Sequence, residues 1–301
     1  MLDKDKFKIG YFADGPWSHE AFKLLANDET LEIVFIVPRS NTKDSSLKEF
    51  AEEYGIDYLF PAKIRTEDFY EKAKSYNCDL FVSMSFNQIF REPLISLPRF
   101  DTINCHAGKL PFYRGRNIIN WALINDETEF GITVHFVDEG IDTGDIIMQR
   151  TYPISDQDDY NSILNIAYVE CAKILYDTVK SLQVGNFQRI NQATIHPVGF
   201  YCGRRSEGDE IINWAQTSRE IFNFIRALCF PGPRATTYIS DEPIYINKAR
   251  MIENAPKYIN TPGQLLRKTQ DGFIVKTKDS FIEILEIESG AKLRVGDKLG
   301  L

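Results

Sequence analysis

Asn104 and His106 close a short run, Thr102-Ile103-Asn104-Cys105-His106. Side chains alternate along an extended strand, so the amide and the imidazole share one face while Ile103 and Cys105 take the other. An imidazole that titrates near neutrality can take a proton from an attacking group, and an amide N–H can stabilise a developing oxyanion. These are the two needs of acyl transfer. The alternative is a satisfied, half-buried histidine beside a hydrogen-bonded asparagine, and an isolated N-x-H does not choose between them. Cys105 could serve as a nucleophile, but the alternation that presents His106 turns the thiol away, and it is read as core.

A second polar concentration, Asp138, Glu139, Asp142 and Asp145, lies in VDEGIDTGD, where Gly140 and Gly144 permit tight turns. The spacing does not match D-x-[DN]-x-[DN]-G with a distant Glu, so no metal is expected. A carboxylate delivered beside His106 would hold the imidazole's orientation and raise its basicity. The alternative for any one of these residues is an acidic turn facing water.

Such side chains need a frame. The first two thirds of the chain alternate short apolar runs with helical patterns, which predicts βαβ units: a Rossmann-like, mostly parallel sheet with helices on both faces. Strands are expected at Lys8–Phe12, Leu31–Val37, Tyr58–Phe60, Asp79–Ser83 and Asp101–His106. Helices are expected at Ser18–Leu25, with Ser18 as N-cap, and at Ser46–Tyr54, Thr66–Ser75 and Arg116–Ile124. Gly131–Val137 and Ile146–Thr151 suggest an antiparallel hairpin, and Tyr160–Leu182 a long amphipathic helix. The GYFADGPWS turn after the first strand fits neither G-x-G-x-x-G nor a P-loop, so neither a dinucleotide nor a triphosphate is indicated. Open parallel sheets still bind ligands beyond the carboxyl ends of their strands, so the loops after Phe12, Ser83 and His106 should line one crevice. Past a linker or hairpin at residues 201–208 come a helix (Ser218–Leu228) and short β-runs at Thr237–Ile239, Ile244–Ile246, Gly272–Thr277 and Ser280–Glu288. They predict a smaller β-rich, OB-like barrel or meander. The domains expected are 1–200 and 201–301.

The chain's 301 residues, 43% hydrophobic and 26% charged, suit one large or two ordinary globular domains and exclude fibrous repeats. Its longest apolar stretches, such as Ile33–Val37, are strand-sized, so no membrane span is expected. The start, MLDKDKFKIG, lacks the apolar core of a secretory signal, which predicts a cytoplasmic protein. Five scattered cysteines without C-x-x-C spacing argue against a disulfide framework and a zinc site. Residues 1–200 carry 20 Lys+Arg against 30 Asp+Glu, and residues 201–301 carry 15 against 13. The acidic part is a poor partner for phosphate backbones, and Arg204-Arg205, Arg267-Lys268 and the Lys292/Arg294/Lys298 set read as solvated surface. Nucleic acid is not an expected partner, and a homodimer is compatible with the sequence.

The run INCHAGKLPFYRGRNIINWAL, followed by GITVHFVDEGIDTGDII, resembles the 10-formyltetrahydrofolate-dependent formyltransferases, which include the enzymes acting on methionyl-tRNA, on glycinamide ribonucleotide and on nucleotide sugars. The N-x-H, L-P-x-x-R-G and D-x-G blocks match in order and at natural spacing. A weaker likeness runs through Glu210–Trp214 and Ile225–Gly232 to the family's smaller C-terminal domain. The resemblance implies that Asn104 stabilises the formyl oxygen, that His106 accepts the proton of the attacking amine and that Asp142 supports His106. It implies 10-formyltetrahydrofolate as co-substrate, no metal, and a folate pteridine flanked by Met84, Ser85, Phe86, Asn87 and Ile89, with backbone groups of Asp138, Glu139 and Gly140 opposite.

The family shares one reaction and differs in the amine it formylates. Methionyl-tRNA formyltransferases carry a basic, glycine-containing insertion after the second strand, where this chain has the short, nearly neutral Pro38-Arg-Ser-Asn-Thr-Lys-Asp-Ser-Ser. The wording of HAGKLPFYRGRN and of T-V-H-F-V-D-E-G looks more like the sugar N-formyltransferases of surface-polysaccharide (O-antigen) biosynthesis. The implied acceptor is an amino-dideoxy sugar on a nucleotide diphosphate, with Lys109, Tyr113, Arg114, Arg116 and Asn117 as candidates to bind it and the cations facing the diphosphate. Two readings stand beside this one: methionyl-tRNA as acceptor, and a catalytically silent folate- or nucleotide-binding module. Arg114 has its own alternative, bracing the catalytic loop.

Overall fold

The computed structural model describes residues 6–300; the first five residues, part of the stretch inspected for a leader, and residue 301 lie outside it. In chain order the elements begin with β1 (Phe7–Ala13), α1 (Pro16–Ala26), β2 (Leu31–Val37), α2 (Ser46–Tyr54), β3 (Asp57–Tyr58), α3 (Glu67–Ser75), β4 (Leu80–Met84) and β5 (Thr102–His106). They continue with β6 (Arg114–Gly115), α4 (Ile118–Ile124), β7 (Glu129–Phe136), β8 (Ile146–Pro153), α5 (Tyr160–Gln183) and β9 (Tyr201–Cys202). The last are α6 (Ser218–Leu228), β10 (Ala235–Ile239), β11 (Glu242–Met251), β12 (Leu265–Lys268), β13 (Gly272–Lys276) and β14 (Phe281–Ser289). Two compact units result. One holds the chain up to Gly115, Phe130–Tyr152 and Asn165–Tyr201, and the other holds Arg116–Glu129, Pro153–Leu164 and the chain from Cys202 on.

The first unit is built on a seven-stranded sheet of order β3-β2-β1-β4-β5-β7-β8. The strands from β3 to β5 pair in parallel, and β7 runs antiparallel to β5. All of β4 and all but one residue of β1 are buried, as near-continuous apolar runs require of strands covered on both faces. Towards the carboxyl end of β1, Phe12 meets Phe35, Phe81 and Phe90 edge-on at 5.5, 5.2 and 4.9 Å between ring centroids. Phe86, from the loop after β4, joins them at 5.6 Å, so that loop is seated on the core. The buried positions Ala167, Cys171, Ile174, Leu175, Val179 and Leu182 repeat at helical spacing along α5. The Cys171 carbonyl accepts the Cys105 thiol at 3.6 Å, so Cys105 points into the core, away from Asn104 and His106.

Two helix starts depart from the sequence reading. Helix α1 begins at Pro16, ahead of the expected N-cap Ser18, which is buried in the first turn with Oγ donating to the Gly15 carbonyl at 2.7 Å. Proline suits a first helical position because its missing N–H would have no partner there, and Gly15 supplies the positive φ of 68° that turns the chain in. Helix α4 likewise starts at Ile118, after Asn117 in the left-handed region at φ 57°. By contrast α3 keeps its expected start, with Thr66 as its N-cap accepting from Phe69 N at 3.3 Å, a bond that stabilises a helix by about 1 kcal/mol.

The second unit carries a five-stranded antiparallel sheet of order β10-β11-β14-β13-β12. Helix α6, opened by a capping box between Thr217 and Glu220, buries Ile221, Ile225 and Leu228 in one cluster with Ile244, Ile246, Val275, Ile282 and Ile284. Strand β12 was not anticipated. Its Arg267 and Lys268 are exposed as expected of solvated cations, but they stand on the edge of a sheet, where charge discourages pairing with another chain. No helix among the described residues is long and apolar enough to cross a membrane.

Candidate active site

Register brings the first two candidates together with a third residue. In β5, Asn104 stands beside Ser83 of β4 and opposite His135 of β7, and His106 stands opposite Thr133. The loop after β7 returns Asp142 to the same place, its backbone in the left-handed region at φ 55°. Asp142 Oδ2 lies 3.7 Å from His106 Nδ1, Oδ1 lies 3.5 Å from His135 Nε2, and Gly115 N–H donates to Oδ2 at 2.8 Å. Asn104, His106 and Asp142 thus converge, as the two polar segments predicted, and His135 completes the group.

His106 Nε2 is 2.7 Å from the Tyr113 carbonyl. A carbonyl only accepts, so Nε2 carries the proton and Nδ1, towards Asp142, keeps the lone pair. Tyr113 can aim that carbonyl because it adopts φ 56°, and Gly108 leaves room for the contact: a Cβ there would strike both His106 Nε2 and the Tyr113 oxygen. Burial pushes the Asp142 carboxyl up, but the neighbouring imidazoles of His106 and His135 and the Gly115 N–H outweigh it, and the group sits well below the usual carboxylate range. The site therefore holds an ionised carboxylate beside a base that is 9% exposed, with an amide donor next to it. That set can accept a proton from an amine, stabilise the resulting imidazolium and hold an oxyanion.

The Asp142 loop is braced from behind. Gln192 Nε2 donates to the carbonyls of Asp142 and Gly144 at 2.9 and 2.8 Å. Its Oε1 accepts from Arg114 Nε and Nη2 at 3.0 and 2.7 Å, while Arg114 Nη1 donates to the Val198 carbonyl at 3.1 Å.

Residues 20–179 match the family described as formyl transferase, and residues 205–297 match the formyl transferase C-terminal domain. The chain belongs to the formyl transferase family. It is 32% identical over 255 residues, 84% of this chain and 80% of the relative, to methionyl-tRNA formyltransferase of Pelotomaculum thermopropionicum. The fold of this formyl transferase is shared with two solved structures. An N-formyltransferase of Helicobacter canadensis, in complex with folinic acid and dTDP-3-aminofucose, superposes with a TM-score of 0.73 at 21% identity, covering 94% of this chain and 100% of that one. WlaRD, a sugar 3N-formyl transferase in the presence of dTDP and 5-N-formyl-THF, gives 0.71 at 22%, covering 96% and 100%.

In this formyl transferase the residues expected around a pteridine divide. Ser85, at φ 56°, is held by Arg39, which donates from Nε to its carbonyl and from Nη2 to its hydroxyl, both at 2.5 Å. Asn87 donates to Asn41 at 2.8 Å, and Ile89 is exposed. Met84 is 1% exposed and its sulfur accepts from the Tyr11 hydroxyl, so its side chain belongs to the core and only its backbone can face a ligand. Phe86 is largely committed to the Phe12 cluster. Across from them, Asp138 accepts from Gly140 N–H and the Thr143 hydroxyl at 3.0 and 2.6 Å. Arg91 Nη1 donates to the Glu139 carbonyl at 2.5 Å, joining this loop to the chain that follows β4.

The acceptor candidates also divide. Lys109, Tyr113 and Arg114 lie in the first unit, Arg116 and Asn117 in the second. Arg114 is 7% exposed and its guanidinium is spent on Gln192 and Val198, which favours the brace over a contact with diphosphate. Tyr113 is buried against Phe200, its ring 4.7 Å away, and contributes its carbonyl. Arg116 is exposed, and Asn117 Oδ1 accepts from Arg205 N at 3.1 Å. Sequence reasoning gave no role to His135 or Gln192. The signal for His135 was a polar residue in the alternating strand Thr133-Val-His-Phe136, whereas Gln192 follows α5 with no local pattern to mark it. Among the described residues no group of three His, Cys, Asp or Glu is placed to hold a metal ion.

Proposed function

We propose that the enzyme transfers the formyl group of 10-formyltetrahydrofolate to the amine of a nucleotide-linked amino-dideoxy sugar. The observation that carries the transfer is the convergence of Asn104, His106 and Asp142 on one site. The amine nitrogen attacks the formyl carbon, and the Asn104 amide N–H stabilises the oxyanion that forms. His106 Nδ1 takes the proton of the attacking nitrogen, and Asp142 stabilises the imidazolium. The bond from the formyl carbon to N10 then breaks as N10 is protonated, leaving the formamide and tetrahydrofolate. His106 returns its proton in that step. The folate is held between the loop of Ser85, Asn87 and Ile89 and the backbone of Asp138–Gly140. The groups that carry the chemistry fall within residues 1–200, the catalytic domain in this reading, with 201–301 as a smaller domain. The enzyme works in the cytoplasm, where both substrates are soluble.

The acceptor assignment rests on charge. The loop after β2 has two cations, Arg39 and Lys43, and Arg39 is bound to Ser85. Such a loop offers little to tRNA phosphates, whereas a single diphosphate needs few cations. The dTDP-3-aminofucose in complex with the Helicobacter canadensis N-formyltransferase supports this class. The second reading, methionyl-tRNA, is favoured by the 32% identity to a methionyl-tRNA formyltransferase, against 21–22% to the sugar enzymes. Incubation with 10-formyltetrahydrofolate and a panel of dTDP-, UDP- and GDP-linked amino sugars separates the two. Release of tetrahydrofolate with one of them supports the proposal. Release with methionyl-tRNA alone promotes the second reading, and no release with any acceptor favours a binding module.

A further inference from the structure

We propose that His135 is a positioning residue that holds the Asn104 amide in its productive orientation; the inference rests on the oxyanion role given to Asn104 above. His135 is 2% exposed and stands opposite Asn104 in the β5–β7 register. Its Nδ1 is 2.8 Å from the Phe136 carbonyl, which only accepts, so the proton sits on Nδ1 and Nε2 keeps its lone pair. Asn104 Nδ2 lies 3.2 Å from that Nε2. One of the two amide hydrogens is thereby fixed on the imidazole, which settles which end of the amide is nitrogen and leaves the second hydrogen for the formyl oxygen. A freely rotating amide would present its own oxygen to the oxyanion half of the time, and that contact repels. The charged and titratable groups facing His135 are Asp142, with Oδ1 at 3.5 Å from Nε2, and His106, with ring centroids 6.5 Å apart.

The test compares His135→Gln, whose side-chain oxygen can accept the same N–H, with His135→Leu, which cannot. Formyl transfer is followed with 10-formyltetrahydrofolate and dTDP-3-aminofucose, and in parallel with methionyl-tRNA. Expected are a kcat about tenfold or more lower for His135→Leu at unchanged KM, substantial rescue in His135→Gln, and no further loss when His135→Leu is added to Asn104→Ala. Equal kcat for His135→Leu and the native enzyme, or equal losses in both variants at unchanged thermal midpoint, overturns the assignment. If Asn104→Ala itself leaves kcat unaltered, the oxyanion role has failed, and the assignment of His135 with it.

Discussion

Because the Tyr113 carbonyl binds Nε2, the basic nitrogen of His106 is Nδ1, the one nearer Asp142. His106→Asn should therefore lower kcat by about 10²-fold or more while folate affinity, measured by titration, stays within its native range. Asn104→Ala should cost about 2.7–4 kcal/mol of transition-state stabilisation, as removal of a single oxyanion donor does elsewhere. Asp142 adds a pH signature. Its folded carboxyl titrates below its unfolded value, so its ionised form stabilises the fold above the unfolded pKa, and that contribution is lost as pH falls below about 4. The gap in thermal midpoint between the native enzyme and Asp142→Asn should accordingly hold from neutrality down to about pH 4 and narrow below it; a pH-independent gap would contradict it. At this scale the sequence was legible where strand alternation applied. Asn104 and His106 share a face and Cys105 does not, which follows from a period of two. His135 obeys the same rule, but its meaning depends on which residue of β5 lies opposite, and register between strands separated by two other elements is not written locally.

The catalytic loop works as an element only if its backbone can pass close to His106. Gly108→Ala places a methyl group between the imidazole and the Tyr113 carbonyl, so activity should fall by about 10²-fold, with kcat suffering more than KM. Near-native turnover in that variant would show that the His106–Tyr113 bond is dispensable. The brace of Arg114 and Gln192 belongs to this scale too. Gln192→Leu keeps the volume but leaves the Asp142 and Gly144 carbonyls without their donor, and we expect a loss of stability of about 1–3 kcal/mol in denaturant unfolding together with a lower kcat. Elements with strong local patterns could be located from the sequence: the helices expected at Thr66–Ser75 and Ser218–Leu228 and the apolar run of β4. Those set by tertiary context could not. Pro16 displaced the start of α1, and β12 was hidden because half of it is Arg267 and Lys268, which look like surface and are surface, on a strand.

At the scale of the molecule, alternating strands and helices foretold the parallel sheet, and the β-rich tail foretold the antiparallel one. Division into units was less legible, since Arg116–Glu129 and Pro153–Leu164 group with the C-terminal chain and nothing in their composition says so. Net charge bears directly on the acceptor. An enzyme that engages only a diphosphate should show a mild response of KM to salt, whereas one that neutralises several tRNA phosphates loses affinity steeply. The acidic first two hundred residues predict the mild response. The most direct measurement is tetrahydrofolate release from 10-formyltetrahydrofolate, with dTDP-3-aminofucose and other nucleotide-linked amino sugars in one arm and methionyl-tRNA in the other. The account predicts turnover with at least one amino-sugar nucleotide, little affected by salt and lowered about 10²-fold or more in His106→Asn, and none with methionyl-tRNA. Efficient, salt-sensitive formylation of methionyl-tRNA with no turnover of any sugar nucleotide would contradict it.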